Sequence, residues 1–357
     1  MRIRRAAAVA LVAGTGLAAV TGVGSAAASP AHRPHVVKTL PGDYIAPLQF
    51  AVSGRTVAVA DSGASALYLV GHPKPIAFGG TPTKNPEASG DLAGVDVEHG
   101  RIGYTQSNAD HTDTRFTVLH HGKKVLQVSL SRYEKHHNPD GRITYGFTDP
   151  SKVSDTCREQ MKTAGLDVVY RGQVDSHPYA VAGLRDGSWL VADAGGNDIL
   201  RISQRGHVST VAVLPPQTVT IGSELAGRFG VTACIGLRYR FEAVPTDVEV
   251  SKGGIWATTL PGGAGGLGSV YRVGWSGWTH RVATGFAEAT NLAVSPSGRI
   301  YVVQLGQGVF TPTKHGPKLV AALPGAAAVE WANGRLYAST APAVTGGTGP
   351  GHVVVLK

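Results

Sequence analysis

The chain has 357 residues, with 33 lysines and arginines against 24 aspartates and glutamates, and a formal charge of +9. Three of the arginines lie within residues 1–28, and without that segment the formal charge is +6. The remaining positive charge is scattered, with no stripe of lysine and arginine interleaved with aromatic residues. This distribution argues against nucleic-acid recognition and for loose affinity to anionic envelope polymers.

The first segment has the three parts of a secretory signal. Arg2, Arg4 and Arg5 precede an apolar run over residues 6–20, and small residues follow up to Ala28. A transmembrane anchor is the competing interpretation, but glycines interrupt the run, which falls short of the roughly 20 residues that a span needs. We therefore expect a secreted protein, cleaved near Ala28, without a transmembrane anchor. Sec and Tat export both stay open.

A glycine followed by a short apolar strand then recurs six times. The strands are GRTVAVAD, GRIGYTQ, GSWLVAD, GIWATT, GRIYVVQ and GRLYAST, which begin at Gly54, Gly100, Gly187, Gly254, Gly298 and Gly334. Three of the steps between these glycines are 36 to 46 residues long, and two longer steps of 87 and 67 residues hold insertions. Each unit contains four alternating strands separated by turn residues, which is typical of a propeller blade. The sequence predicts an all-β fold, a six-bladed β-propeller in one domain over residues 29–357.

The last unit lacks a fourth strand. It ends at GHVVVLK, residues 351–357, which matches the third strand of the other units. The segment HVVKTLP, residues 35–41, matches the fourth strands HVSTVAVLP and PKLVAALP instead. We therefore expect residues 35–41 to pair beside residues 351–357, so that the N-terminal strand closes the last blade and leaves no unpaired inner edge.

The segment DAGGND, residues 193–198, separates the second and third strands of the third unit. A carboxylate, an amide and two glycines resemble a cation loop, but the EF-hand pattern requires glycine at the sixth position, where this chain has Asp198. Glycine supplies positive φ, and Asp and Asn bond their own backbone in tight turns. A satisfied turn and a ligand-binding loop are the two interpretations.

Two insertions, at about 131–174 and 216–244, each lie between a fourth strand and the next first strand. Both should therefore rise over the same face of the ring and meet there. The first contains a predicted helix over residues 149–165, with Asp149 as its N-cap and a proline in its first turn. The insertions are thus expected to be partly helical and to cap one face.

Cys157 and Cys234 are the only cysteines, one in each insertion. Cys157 shares the apolar stripe of the predicted helix with Val153 and Met161, so it should face the body of the protein. An even pair of cysteines in an exported chain predicts a disulfide, and two unrelated buried thiols are the alternative.

Several segments between residues 175 and 310 resemble the ScyD/ScyE family, NHL-like propellers associated with scytonemin biosynthesis. They are HPYAVAGLRDGSWLVADAGGNDILRIS, YRFEAVPTDVEVSKGGIWATTLPGG, GSVYRV and ATNLAVSPSGRIYVVQLG. The stretches PTDVEV and TTLPGG are the most specific. The resemblance implies an exported propeller without an established reaction.

The starts of the first strands and the ends of the second strands converge at one mouth of the channel, and polar residues there are the ligand-binding candidates. They are His177, Asp193, Asn197, Glu242, Asp247, Glu288, Asn291 and Gln304. Hard oxygen ligands on several blades suit Ca²⁺, as in the regucalcin and gluconolactonase propellers that this chain resembles, with Asp193, Asp247 and Asn291 as the metal candidates. The alternative is that these groups cap strands and bond the inserted loops.

Three classes of function follow from the sequence. The favoured one is a monomeric binding or accessory protein that recognises a small molecule, a glycan or an envelope protein on the capped face. The second is a Ca²⁺-dependent hydrolase or lyase in which the metal acts as Lewis acid and a carboxylate as base. The third is a structural envelope protein. The chain has no GxSxG, HExxH, P-loop or CxxC motif, and the sequence identifies no catalytic residue.

Overall fold

The structure is a computed structural model that describes residues 34–79, 90–251, 254–263 and 265–357. The predicted signal, residues 1–28, lies outside these ranges. In the part of the chain that is described, no helix is long and apolar enough to cross a membrane.

The first two repeated units and the first insertion follow the alternating apolar pattern of the sequence. Strand β1 (Val36–Thr39) precedes the first sheet, which holds β2 (Pro47–Ser53), β3 (Thr56–Asp61), β4 (Ala66–Leu69) and β5 (Ala77–Phe78). The second sheet holds β6 (Val95–Glu98), β7 (Arg101–Ser107), β8 (Thr114–His120) and β9 (Lys123–Ser129). The first insertion holds α1 (Leu130–His137), β10 (Thr144–Phe147), α2 (Asp155–Thr163) and β11 (Val169–Arg171).

The remaining elements continue in the same order. The third sheet holds β12 (Pro178–Gly183), β13 (Trp189–Asp193), β14 (Asp198–Ile202) and β15 (Val208–Val213), and the second insertion holds β16 (Gln217–Thr220), α3 (Ser223–Phe229) and β17 (Arg238–Phe241). The fourth sheet holds β18 (Pro245–Ser251), β19 (Gly254–Thr259), β20 (Gly268–Val273) and β21 (Thr279–Phe286). The fifth holds β22 (Ala289–Val294), β23 (Ile300–Gln304), β24 (Gly308–Thr313) and β25 (Gly316–Ala322), and the last holds β26 (Ala326–Ala332), β27 (Arg335–Thr340) and β28 (His352–Leu356).

The repeated sheets form a ring. Their first strands are β2, β6, β12, β18, β22 and β26, and each contacts the next, with β26 returning to β2. This closed circuit of antiparallel sheets is the β-propeller architecture, so the predicted fold class is confirmed. Strand β1 pairs antiparallel with β28, with Val36 opposite Leu356 and Thr39 opposite Val354, and so completes the last sheet from the other end of the chain.

The recurring glycine has a conformational cause. At all six positions the glycine before the second strand has positive φ, between 59° and 121°. Residues with a Cβ rarely adopt this backbone conformation, so glycine is the residue that lets the first strand turn tightly into the second. The glycine therefore recurs in the sequence because the same tight turn recurs between the first and second strands of each sheet.

The two insertions meet in a further four-stranded sheet, in the order β11, β10, β17, β16. A disulfide joins Cys157 in α2 to Cys234, as predicted, with 5.1 Å between the Cα atoms. Met161, Tyr239 and Phe241 pack with both cysteines in the apolar core of this unit. The insertions are therefore one cross-linked body.

The helix predicted over residues 149–165 is shorter than expected. Asp149 accepts a hydrogen bond from the Ser151 amide and caps only a 3-10 turn over Pro150–Lys152. Val153 is extended, and α2 begins after a second cap, Ser154, whose hydroxyl accepts from the Cys157 amide. Two capping residues close together divide the segment because each one starts its own turn.

Candidate functional site on the capped face

The insertions lie over the face on which the second strands end. Asn197, at the turn after β13, donates from Nδ2 to Asp140 Oδ2 of the first insertion at 3.0 Å and accepts on Oδ1 from the Val244 amide at 2.9 Å. Arg228 of α3 lies 3.6 Å from Glu288, just before β22. The capping predicted from the positions of the insertions is thus built from contacts to the third sheet and to the segment that leads into the fifth.

Asp193 is held by the backbone around it. The side chain is 1% exposed, and its Oδ1 accepts from the His177, Gly195 and Gly196 amides, at 2.6, 3.1 and 3.2 Å. Its Oδ2 accepts from the Ser176 hydroxyl at 2.6 Å. Burial raises the pKa of Asp193, although these hydrogen bonds oppose the shift. Asp193 therefore caps the turn that follows β13, as the interpretation of a satisfied turn expects of this residue.

Other sheets repeat this arrangement at the end of the second strand. Asp61 accepts from the Ile45 and Ala46 amides, just before β2. Gln304 Oε1 accepts from the Ala287 amide, just before β22. Each side chain thus binds the backbone just before the first strand of its own sheet, so the residue at the end of the second strand has the same structural role in several sheets.

Asp247 and Asn291 belong to a different set, on the first strands. Asp247 Oδ2 accepts from the Leu292 amide at 2.7 Å, and Asn291 Oδ1 accepts from the Val329 amide at 2.6 Å. Asn291 Nδ2 donates to Gln49 Oε1 at 2.8 Å. The Asp247 bond therefore joins the fourth sheet to the fifth, and the two Asn291 bonds join the fifth sheet to the last and to the first. The structure therefore brings Asp247 and Asn291 together, while the hydrogen bonds of Asp193 stay within the third sheet.

An apolar cluster fills the centre of the capped face. Its buried members come from the ends of strands and adjoining turns around the ring: Ala46, Leu48, Ala93, Tyr179, Ala194, Val244, Ala327 and Ala341, with Leu305 packed against them. Because all six sheets contribute to one contiguous cluster, the mouth of the channel is occupied by side chains. Asp247 and Asn291 are 3% and 1% exposed.

Of the remaining candidates, Glu242 lies at the end of the second insertion, and Glu288 contacts α3 of the same insertion. The pKa of Glu242 is raised to about 7 by burial, with Asp140 and Asp175 adding to the shift and a hydrogen bond from Tyr170 opposing it. Glu288 is more open and pairs with Arg228. Neither carboxylate shares a hydrogen bond with Asp247 or Asn291 among the contacts of the described residues.

His177 is the predicted residue with the most distinctive chemistry. Its Nε2 lies 3.0 Å from Asp91 Oδ2, and its ring stacks on His111 with 4.3 Å between the ring centroids. His111 Nδ1 lies 3.0 Å from Asp175 Oδ1. Burial lowers the pKa of His177, but the charge and hydrogen bond of Asp91 outweigh it, so the pKa is raised. The side chains of these four residues are 10% to 26% exposed, which leaves them in contact with solvent.

The two stacked His–Asp pairs were only partly visible in the sequence. His177 was a candidate, but His111 lies 66 residues before it, on a turn after β7, and has positive φ (56°). No motif connects it with Asp91, Asp175 or His177. The sequence carries no signal for this contact, because the left-handed turn that places His111 is seen only in the fold.

A group of acids also lies further along the first strands. Asp96, Glu249 and Glu330 occupy equivalent positions on β6, β18 and β26, alternate sheets of the ring. Burial raises the pKa of Asp96 to about 6 and those of Glu249 and Glu330 well above the usual range. Repulsion by Asp96 and Asp247 adds to the shifts of Glu249 and Glu330, so carboxyl groups of three sheets lie near one another in the channel.

A cavity of about 320 Å³ lies away from all of these residues. It is on the opposite face, between the second and third sheets, and it is lined by Glu98, Arg101, Arg185, Asp186 and Trp189 among others. None of the eight predicted ligand residues lines it.

Ring closure, capping and the repeated strand caps define the chain as a β-propeller protein. No protein-family model matches the chain, and no curated protein sequence matches it. Among solved structures, the chain is similar to a gluconolactonase from Xanthomonas campestris, at 12% identity over 94% of this chain and 99% of that chain, with a TM-score of 0.52.

The chain is likewise similar to the PQQ-bound aldose sugar dehydrogenase from Streptomyces coelicolor, at 13% identity over 91% of this chain and 97% of that chain, with a TM-score of 0.51. Similarity at this level of identity shows the propeller fold alone. The resemblance to the ScyD/ScyE family stays a prediction.

Proposed function

We propose that this protein is a secreted, ScyD/ScyE-like accessory propeller that binds a small polar ligand at the paired histidines of its capped face. The observation that carries the proposal is the stack of His111 on His177, with each ring held by its own carboxylate and partly open to solvent. The disulfide between the insertions is compatible with an extracellular protein.

The chemistry of the pair suits a ligand rich in hydroxyl or carbonyl groups. Asp91 and Asp175 orient the two imidazoles, and the raised pKa of His177 favours its proton-donating form. Donors fixed in position by a second hydrogen bond lose little freedom when they bind an oxygen acceptor. A sugar or an aldonolactone presents such acceptors.

Asp193, Asp247 and Asn291 are less suited to this role. Their side-chain oxygens accept backbone amide hydrogens, and all three residues are almost fully buried. Calcium at these three residues stays a prediction, and their contacts favour the alternative in which they hold strand ends.

The test is a thermal-shift screen of the mature chain against a panel of monosaccharides, amino sugars and aldonolactones. A hit should disappear in the double variant His111→Gln/His177→Gln and persist in His280→Gln, because His280 is exposed on the outer strand β21. If no compound stabilises the protein, or if the double variant responds like wild type, the histidines are not a binding site for this class of ligand.

A hydrolase or lyase is the second candidate, because a His–carboxylate pair is a common general base. Hydrolysis of glucono-δ-lactone, followed by pH-stat titration, separates the two. Turnover above the uncatalysed rate that falls at least about 100-fold in His177→Gln would identify an enzyme, a loss within the range typical of acid–base residues. Binding without turnover supports the accessory role.

A further inference from the structure

A second group of carboxylates lies between α1 and the turn that follows β13. Glu134 of α1, Asp140 after it, and Asp198 at the start of β14 are 3%, 1% and 1% exposed. Each has one buried side-chain oxygen with no hydrogen-bond partner: Oε1 of Glu134, Oδ1 of Asp140 and Oδ1 of Asp198. Buried polar atoms are almost always paired, so three unpaired acceptors in one place need an explanation.

These acids lack a compensating cation. Among the described residues, none of the three forms an ion pair with a lysine or arginine. Asp175 and Asp193 are close enough to add to the repulsion. Burial, then the neighbouring aspartates, raise the pKa of Glu134 to about 9, while burial raises the pKa of Asp140 to about 6. Buried carboxyl groups that lie close together without a lysine or arginine partner either hold protons or bind a cation.

Gly196 leaves a space between two of the carboxylates. A Cβ at this position would lie 3.3 Å from Glu134 Oε2 and 3.4 Å from Asp198 Oδ1. No positive φ requires glycine there, because Gly196 is not among the glycines with left-handed backbone. The missing side chain therefore leaves room beside the unpaired Oδ1 of Asp198 and beside Oε2 of Glu134, the carboxylate whose other oxygen, Oε1, is unpaired.

We propose that a divalent cation, Ca²⁺ by its preference for hard oxygen ligands, binds between Glu134 and Asp198 in the space beside Gly196. In the described part of the chain, no three Asp, Glu, His or Cys side chains already surround one metal position. The site therefore offers two carboxylates, and neutral oxygen atoms would complete the coordination. Bound there, the ion would fasten α1 of the first insertion to the third sheet.

The first experiment measures calcium in the mature protein purified without chelator, by plasma mass spectrometry. We expect about one Ca²⁺ per chain. Removal of the ion should lower the melting temperature by about 5 °C, and 1 mM CaCl₂ should restore it, as expected for an ion that binds only the folded state. MgCl₂ should restore less, because Mg²⁺ gives up its water reluctantly.

Two kinds of variant test the location. Glu134→Gln and Asp198→Asn should each abolish the calcium response, and Glu159→Gln, an exposed acid on α2, should not. Gly196→Ala keeps both carboxylates but fills the space, so it should also abolish the response. Its matched control is Gly227→Ala in α3, where an added Cβ meets nothing within 4 Å.

Clear results would overturn the proposal. One is that the wild-type protein contains no calcium and that its melting temperature does not change when calcium is added. The other is that calcium raises the melting temperature of Glu134→Gln, Asp198→Asn and Gly196→Ala as it does that of the wild type. A wild-type protein without calcium, together with Glu134→Gln raising the melting temperature at pH 8, would show that protons occupy the cluster instead. A larger response to Mg²⁺ would overturn the assignment to calcium. None of these outcomes depends on the histidine pair.

Discussion

Replacing Asn291 by alanine tests whether the first-strand polar residues hold the ring together or serve a ligand. The side chain bonds the Val329 amide of β26 at 2.6 Å and Gln49 of β2 at 2.8 Å, and it is 1% exposed. The substitution leaves a buried donor and a buried acceptor without partners, at about 1 to 3 kcal/mol each when nothing compensates. Because Gln49 can reorient, we expect a loss of about 3 kcal/mol in the free energy of unfolding.

The measurement is urea denaturation followed by tryptophan fluorescence, with and without 1 mM CaCl₂. The matched control is Asn333→Gly, which removes an exposed hydrogen bond from Asn333 of the last sheet to the Gly54 carbonyl of the first, the two sheets that hold the partners of Asn291. The substitution keeps the positive φ of this position. It should change stability by less than about 0.5 kcal/mol. A loss of unfolding free energy in Asn291→Ala no larger than that in the control would show that this side chain does not hold the sheets together. A calcium effect that only Asn291→Ala removes would instead make Asn291 a metal ligand.

Three further predictions concern cross-linking, closure and pH. Releasing the 77-residue loop with Cys157→Ser/Cys234→Ser should cost about 4 to 5 kcal/mol by the chain-entropy model, and a loss under about 1 kcal/mol in urea denaturation would contradict it. A chain that begins at Asp43 lacks β1, so its melting temperature should fall sharply, and an unchanged value would show that β1 does not hold the ring closed. Glu249→Gln should stabilise the protein in melts at pH 8 but not at pH 4. Burial, then repulsion by Asp247 and Asp96, raise the pKa of Glu249, so the carboxylate destabilises the fold only once pH rises above its unfolded pKa of about 4.3. Equal melting temperatures of variant and wild type at pH 8 would contradict this assignment.

The architecture could be predicted because its determinants are local. Alternating apolar residues specify strands, and a glycine is needed wherever the first strand turns into the second with positive φ. The closing strand was visible as a fourth strand missing from one end of the chain and present at the other. The cysteine pair was visible because its two members lie in the two insertions that rise over one face.

The candidate site was predicted less completely. The eight polar residues do lie around the capped face, but the sequence left open whether they bind a ligand or hold strand ends. Asp193 is paired with amides of its own sheet, whereas Asn291 links the fifth sheet to the last and the first. Both residues have a short polar side chain near the end of a strand, so composition and spacing could not distinguish these tasks.

The sequence by itself determined the strands, the turns, the order of the sheets and the covalent cross-link, since each depends on residues near one another in the chain or on a single pair of cysteines. Only the tertiary structure decided that His111 stacks on His177 and that Glu134 meets Asp198 beside Gly196. These partners are separated by more than 60 residues in both cases. Their meeting depends on the rotation of each sheet about the ring axis and on the path of the insertions, which the packing of the whole ring sets and no local pattern records.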